Sequence, residues 1–175
     1  MTMLRSLSLT LATVAVLAAC SAPPAPQKPA VVADAPPPRD LLAEVRAAGA
    51  DGDDALEVQP LRDPEIEDLR ASATRAESAA RFDDADKHVQ AALAITPDDP
   101  ELLQWRAELL LAQAFYDEAA ILANRSYEKG PKLGALCRRN WTTIRVAREM
   151  SGQGNEAAAA GQQASRCRVE APVRM

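Results

Sequence analysis

Histidine is nearly absent from this 175-residue chain, which has one, His88, and only six aromatic side chains. Hydrolytic chemistry usually needs a base poised near neutral pH, and His88 reads as an exposed helix-face residue beside acidic neighbours. HExxH, GxSxG, a Gly-rich phosphate loop and metal-ligand spacing are all missing: Cys137 and Cys167 stand thirty positions apart with no histidine between them. The sequence therefore argues against an enzyme and against a metal or small-molecule cofactor. A basic run interleaved with aromatics is missing too, which argues against nucleic acid. The longest largely apolar run, Leu7 to Ala19, has thirteen residues, too few to cross a bilayer as a permanent helix.

That run follows one positive charge, Arg5, and ends in small residues before Cys20, which is export-signal architecture. Its last four residues, Leu17-Ala18-Ala19-Cys20, resemble the lipobox of bacterial lipoproteins. The resemblance implies removal of residues 1–19 and a diacylglyceryl group on the thiol of Cys20. By the sorting rule of those proteins, Ser21 after the cysteine implies the outer membrane of a Gram-negative bacterium, with the protein facing the periplasm. Two or three acyl chains would hold it firmly, at about 0.8 kcal/mol per buried methylene.

Residues 20–39 form a tether: Ser21 to Pro38 holds seven prolines in eighteen residues and little that could anchor a core. In polyproline II form it reaches on the order of 55 Å, at about 3.1 Å per residue. The remainder divides into a weakly structured segment at 40–63, a helical domain at 64–168 and a short tail at 169–175. Within 40–63, Leu41 to Ala48 could form a short helix, and Asp51-Gly52-Asp53-Asp54 reads as an acidic turn rather than a calcium loop. Net charge is -5 overall, but residues 40–101 carry 17 acids and 6 bases while residues 102–175 carry 7 acids and 11 bases.

A period of 34 residues relates Ala80-Arg81-Phe82-Asp83-Asp84-Ala85 to Ala114-Phe115-Tyr116-Asp117-Glu118-Ala119, and Pro97 to Pro131. A third, looser copy, Gly152-Gln153-Gly154-Asn155-Glu156-Ala157, follows 38 residues after the second. Small residue, aromatic, alanine and closing proline at these offsets resemble the tetratricopeptide repeat, a pair of antiparallel helices. The resemblance implies an all-α fold, a short solenoid of about three hairpins, with helices near 65–79, 83–95, 99–113, 117–129, 134–151 and 155–167. Ala85, Ala119 and Ala157 suit close helix crossings, Phe82 and Tyr116 fill the turns, and Pro97 and Pro131 stop helices. Asp83, Asp84, Asp117 and Glu118 fall in first turns, where the macrodipole favours anions.

In the third unit, counting back from Ala157 sets Trp141, Ile144, Ala147, Gly152 and Ala157 on the repeat's tryptophan, leucine, alanine, glycine and alanine positions. Arg145 then stands where the family prefers a small residue. Trp141 reads as the interior anchor of this unit, and Trp105 as packing between the second and third units. Cys137 and Cys167 fall at adjacent ends of one hairpin. In an oxidising compartment a disulfide there closes a loop of 29 intervening residues, for about 3.5 kcal/mol by chain entropy. Two free structural thiols, or a reactive thiol, are the alternatives.

Tetratricopeptide folds bind extended peptides in the groove lined by the first helix of each hairpin. The resemblance places Arg70, Thr74 and Glu77, then Gln104 and Glu108, then Arg138, Arg139, Thr142 and Arg145 along such a groove. The family's chaperone-binding clamp is not matched, because Arg70 and Thr74 stand where it needs lysine and asparagine. The function implied is a lipid-anchored envelope module that binds a protein or peptide partner. The alternatives are an assembly factor resembling the pilotins of secretins and a purely structural lipoprotein.

Overall fold

The computed structural model describes residues 39–50 and 63–168. The signal, Cys20, the tether, the Asp51–Asp54 turn and the tail lie outside the described residues.

Among the described residues the chain is all-α: α1 (Leu41–Ala50), α2 (Pro64–Ser78), α3 (Phe82–Ile95), α4 (Pro100–Ala112), α5 (Tyr116–Lys129), α6 (Gly134–Met150) and α7 (Gly154–Arg166). Helices α2 to α7 form three successive hairpins, α2/α3, α4/α5 and α6/α7, stacked through α3 on α4 and α5 on α6. Their bounds fall within one residue of those expected.

Local chemistry sets those bounds. Helices α2 and α4 both open with Asp-Pro: Asp63 accepts from the amide of Glu65, and Asp99 from those of Glu101 and Leu102, with Pro64 and Pro100 in the first turn. Such caps contribute about 1 kcal/mol each. The turn inside each hairpin repeats as well. Ala80, Ala114 and Gly152 are left-handed, with φ of 55°, 64° and 74°. The next amide of each reaches back five residues, Arg81 to Ala76 and Phe115 to Leu110 at 2.9 Å, Gln153 to Arg148 at 2.8 Å. That closure is the Schellman motif, and it explains why a small residue recurs at this position.

Ala85, Ala119 and Ala157 are buried at the helix crossings, as the period implies. Phe82 packs on the cluster around Ile66, Val89 and Leu102, and Tyr116 on the one around Leu111, Ala119 and Val146. Trp141 is half-buried against Ala107, Ala123, Ile144 and Ala160, edge-on to Tyr127 at 5.0 Å. Cys137 and Cys167 are joined by a disulfide with Cα atoms 5.6 Å apart, and the amide of Gly134 donates to the Cys167 carbonyl at 2.7 Å. Arg145 fits at a small-residue position because Gly161 of α7 leaves space for its stem, 3.2 Å from where a Cβ would stand.

One expectation needs correction. Trp105 packs on the first hairpin, not the third, because its side of α4 faces α2. The short helix that the sequence allowed at Leu41 to Ala48 is present as Leu41–Ala50, and it is docked on α6 and α4. Asp40 caps it by accepting from the amide of Ala43 at 2.9 Å, and Leu41, Val45 and Gly49 form a stripe at four-residue spacing facing inward. Ten residues do not hold a helix alone in water. Burial of Val45, worth about 1.5–3 kcal/mol, and the contacts below supply the difference.

Candidate binding face

The first helices of the hairpins, α2, α4 and α6, carry the expected groove residues, and α1 lies against that face. Glu108 is fully buried. It accepts from Nε of Arg46 on α1 at 3.0 Å, from Nε of Arg139 on α6 at 2.8 Å and from Gln104 at 2.9 Å. A carboxylate taken out of water needs such partners, since an unpaired buried charge is strongly destabilising. Arg46 also pairs with Glu77 of α2 at 2.5 Å, so α1 touches all three first helices.

Arg138, buried on α6, donates to the carbonyls of Ala48 and Gly49, both at 2.9 Å. These are C-terminal carbonyls of α1, where unpaired acceptors and the macrodipole attract a cation. At the other end Arg39 donates to Glu44 at 2.6 Å and to Glu149 at 2.8 Å. Arg145 donates to Glu149 at 2.6 Å and pairs with Glu44. The Arg39 hydrogen bond holds the Glu44 carboxyl down at about 2 against the upward push of burial, with help from Arg145. Burial also opposes ionisation of Glu149, and the bonds from Arg39 and Arg145 outweigh it, leaving that carboxyl below its ordinary value.

The groove expectation is therefore corrected in its second and third units. Gln104, Glu108, Arg138 and Thr142 are buried, and Arg139 and Arg145 are engaged with Glu108 and with Glu44 and Glu149. The side chains are those of a polar groove, but α1 already lies in it.

What stays open is a cleft of about 730 Å³ beside α1, walled by Arg46, Arg70, Thr74, Glu77, Trp105 and Arg139 among others. The Arg70 guanidinium lies 5.3 Å from the centre of the Trp105 ring, within cation–π range. The indole Nε1 donates to Glu77 at 2.7 Å. Arginines, carboxylates, a hydroxyl and an aromatic face suit recognition of a polar peptide segment, and the lining includes neither histidine nor thiol. Sequence reasoning found Arg70, Thr74, Glu77 and Arg139 of this cleft. It missed Arg46 and Trp105. The repeated Asp-Pro pair, which fixes where α4 begins, was the available signal for the direction of Trp105.

The hairpin stack has a likeness among solved structures. The similarity is to LpoP. Its globular C-terminal domain, from P. aeruginosa, superposes with a TM-score of 0.56 at 27% identity, over 60% of this chain and 99% of that one. No protein-family profile and no curated protein sequence matches the chain. The likeness to the LpoP domain agrees with an all-α fold and with a domain of a bacterial envelope lipoprotein. Among the described residues no helix is long and apolar enough to cross a membrane.

Proposed function

We propose that the protein is a lipid-anchored interaction module of a Gram-negative cell envelope, held on the outer membrane through Cys20 and facing the periplasm. The observation that carries this reading is the open cleft on the first-helix face, in a fold shared with the C-terminal domain of LpoP. Binding rather than catalysis suits its side chains. Arg70 is placed to meet a carboxylate, Thr74 and Glu77 to exchange hydrogen bonds with backbone, and Trp105 to cover an aliphatic or cationic side chain, while Arg139 stays with Glu108. The partner is a protein or peptide of the envelope. The Cys20-Ser21 junction and the proline-rich tether support the address, since they supply an anchor and enough reach to carry the domain clear of the headgroups.

Two variants test this in cells. Cys20→Ala releases the protein from the membrane fraction if lipid is its anchor; retention in the membrane contradicts that part. Crosslinking followed by mass spectrometry of the adducts compares the native chain with Arg70→Glu. The main adduct is lost if the cleft binds the partner, and an unchanged set of adducts rules the cleft out.

A further inference from the structure

Resting on that reading, one feature of the first-helix face defines its partner more narrowly. Of the eight buried polar or charged side chains among the described residues, six lie on α4 and α6, the two helices that carry α1. A helix serving only to close a core would meet apolar side chains. Here Glu108 and Arg138 lie beneath α1, and their needs are met partly by α1 itself: a guanidinium from Arg46 and two terminal carbonyls. The remaining links are also polar: the Arg46–Glu77 pair and the network of Arg39, Glu44, Arg145 and Glu149, on partly exposed side chains, contacts that another helix carrying the same charges reproduces. A single fully buried valine is the main apolar anchor. By contrast, α4 and α6 bury residues along their whole length, and α7, which buries two alanines, is tied to α6 by the disulfide. The element with the fewest buried apolar contacts opens first.

We propose that this face is an exchangeable helix-binding site, occupied in the resting protein by α1 and taken over by a short helix of the partner with the same chemistry. The geometry specifies that helix. A carboxylate, an aliphatic residue and an arginine stand in succession, as Glu44, Val45 and Arg46 do, to meet Arg145, the apolar floor and the Glu108–Glu77 pair. A residue without a side chain stands four positions after the aliphatic one, because Arg139 crosses there: a Cβ on Gly49 would lie 2.7 Å from its Cδ. The helix ends at that point, so that Arg138 can take its last carbonyls. Helix-in-groove recognition with charge complementarity is an established mode of peptide binding.

The test supplies α1 in trans. A fluorescent peptide of residues 39–50 is titrated into the full chain carrying Cys20→Ser, with native α1 or with Val45→Asp, which expels α1. If the native face is occupied nine-tenths of the time, the Val45→Asp chain binds the peptide about tenfold more tightly, since apparent affinity scales with the free fraction. A peptide with Arg46→Glu does not bind either chain. Hydrogen exchange run alongside reports whether the three hairpins stay protected. No peptide binding by a Val45→Asp chain with protected hairpins overturns the proposal. So does collapse of all protection in both Val45→Asp and the milder Gly49→Val, because α1 is then an inseparable part of the core. A native chain that is dimeric, and becomes monomeric on Val45→Asp, overturns it in favour of a second copy as the occupant. Partner crosslinking through Arg70 survives each of these failures, so the two readings fail separately.

Discussion

The Cβ that Gly49 lacks would stand 2.7 Å from Cδ of Arg139 and 2.8 Å from its Cγ. A side chain at position 49 therefore fits only if Arg139, held by Glu108, moves aside. In an isolated helix Gly49→Val would raise helix propensity slightly; here it lifts the end of α1 off Arg139 and Arg138. Amides of residues 43–50 are expected to exchange faster in Gly49→Val while those of α2 to α7 are unchanged.

Arg46 and Arg139 supply the guanidiniums beside a carboxylate with no solvent exposure. Replacing either by alanine leaves Glu108 one cation. Replacing both leaves it none, at about 3–5 kcal/mol for a buried charge stripped of its partners. Urea denaturation of the two single variants and the double variant is expected to show a double loss larger than the sum of the singles.

The left-handed alanines carry a backbone penalty that glycine would not. Ala80→Gly and Ala114→Gly remove about 1–2 kcal/mol of left-handed strain and return about 0.4–1 kcal/mol through the freer unfolded chain. Each is expected to raise stability by about 0.5–1 kcal/mol, and Gly152→Ala to lower it by a similar amount, read from thermal melts.

Acid should loosen α1 before it unfolds the hairpins. Glu44 has its carboxyl lowered to about 2 by Arg39 and Arg145, so its ionised form is favoured in the docked state. The contribution is full above the unfolded value of about 4.3 and is lost as pH falls through about 2. Methyl resonances of Val45 should therefore be constant at neutral pH and shift towards unpacked values between those limits. Glu44→Gln should remove that pH dependence.

Reduction of the Cys137–Cys167 disulfide frees a loop of 29 intervening residues. The expected loss is about 3.5 kcal/mol, seen as a lower urea midpoint for Cys137→Ser Cys167→Ser. Alkylation without reductant should label neither thiol.

The hairpins were legible because their signals are local and repeat: alanines at 34-residue spacing, closing prolines and acids in first turns. The charge division was legible only as a fact. The structure gives part of its reason, because acids of the first half meet bases of the second in Glu44–Arg145, Asp86–Arg106 and Asp98–Arg125. The docking of α1 was not legible. Its ten residues have little helix stability of their own, and what holds them is the face of three helices brought together by tertiary packing. For the same reason Arg138, which resembles a ligand clamp in the sequence, instead takes the end of a helix about ninety positions earlier. Arg70 and Thr74 line the open cleft because their hairpin keeps the repeat's register and α1 leaves that end of the face open.

The central claim is that the first-helix face receives a protein of the envelope. Site-specific photocrosslinking in living cells tests it most directly, with p-benzoylphenylalanine at Thr74, in the cleft, and at Ile121, which is 64% exposed and outside that cleft. The account predicts a discrete protein adduct from position 74, in the membrane fraction and lost on Arg70→Glu, with none of that mass from position 121. An adduct from 121 alone, or from neither position, would contradict it.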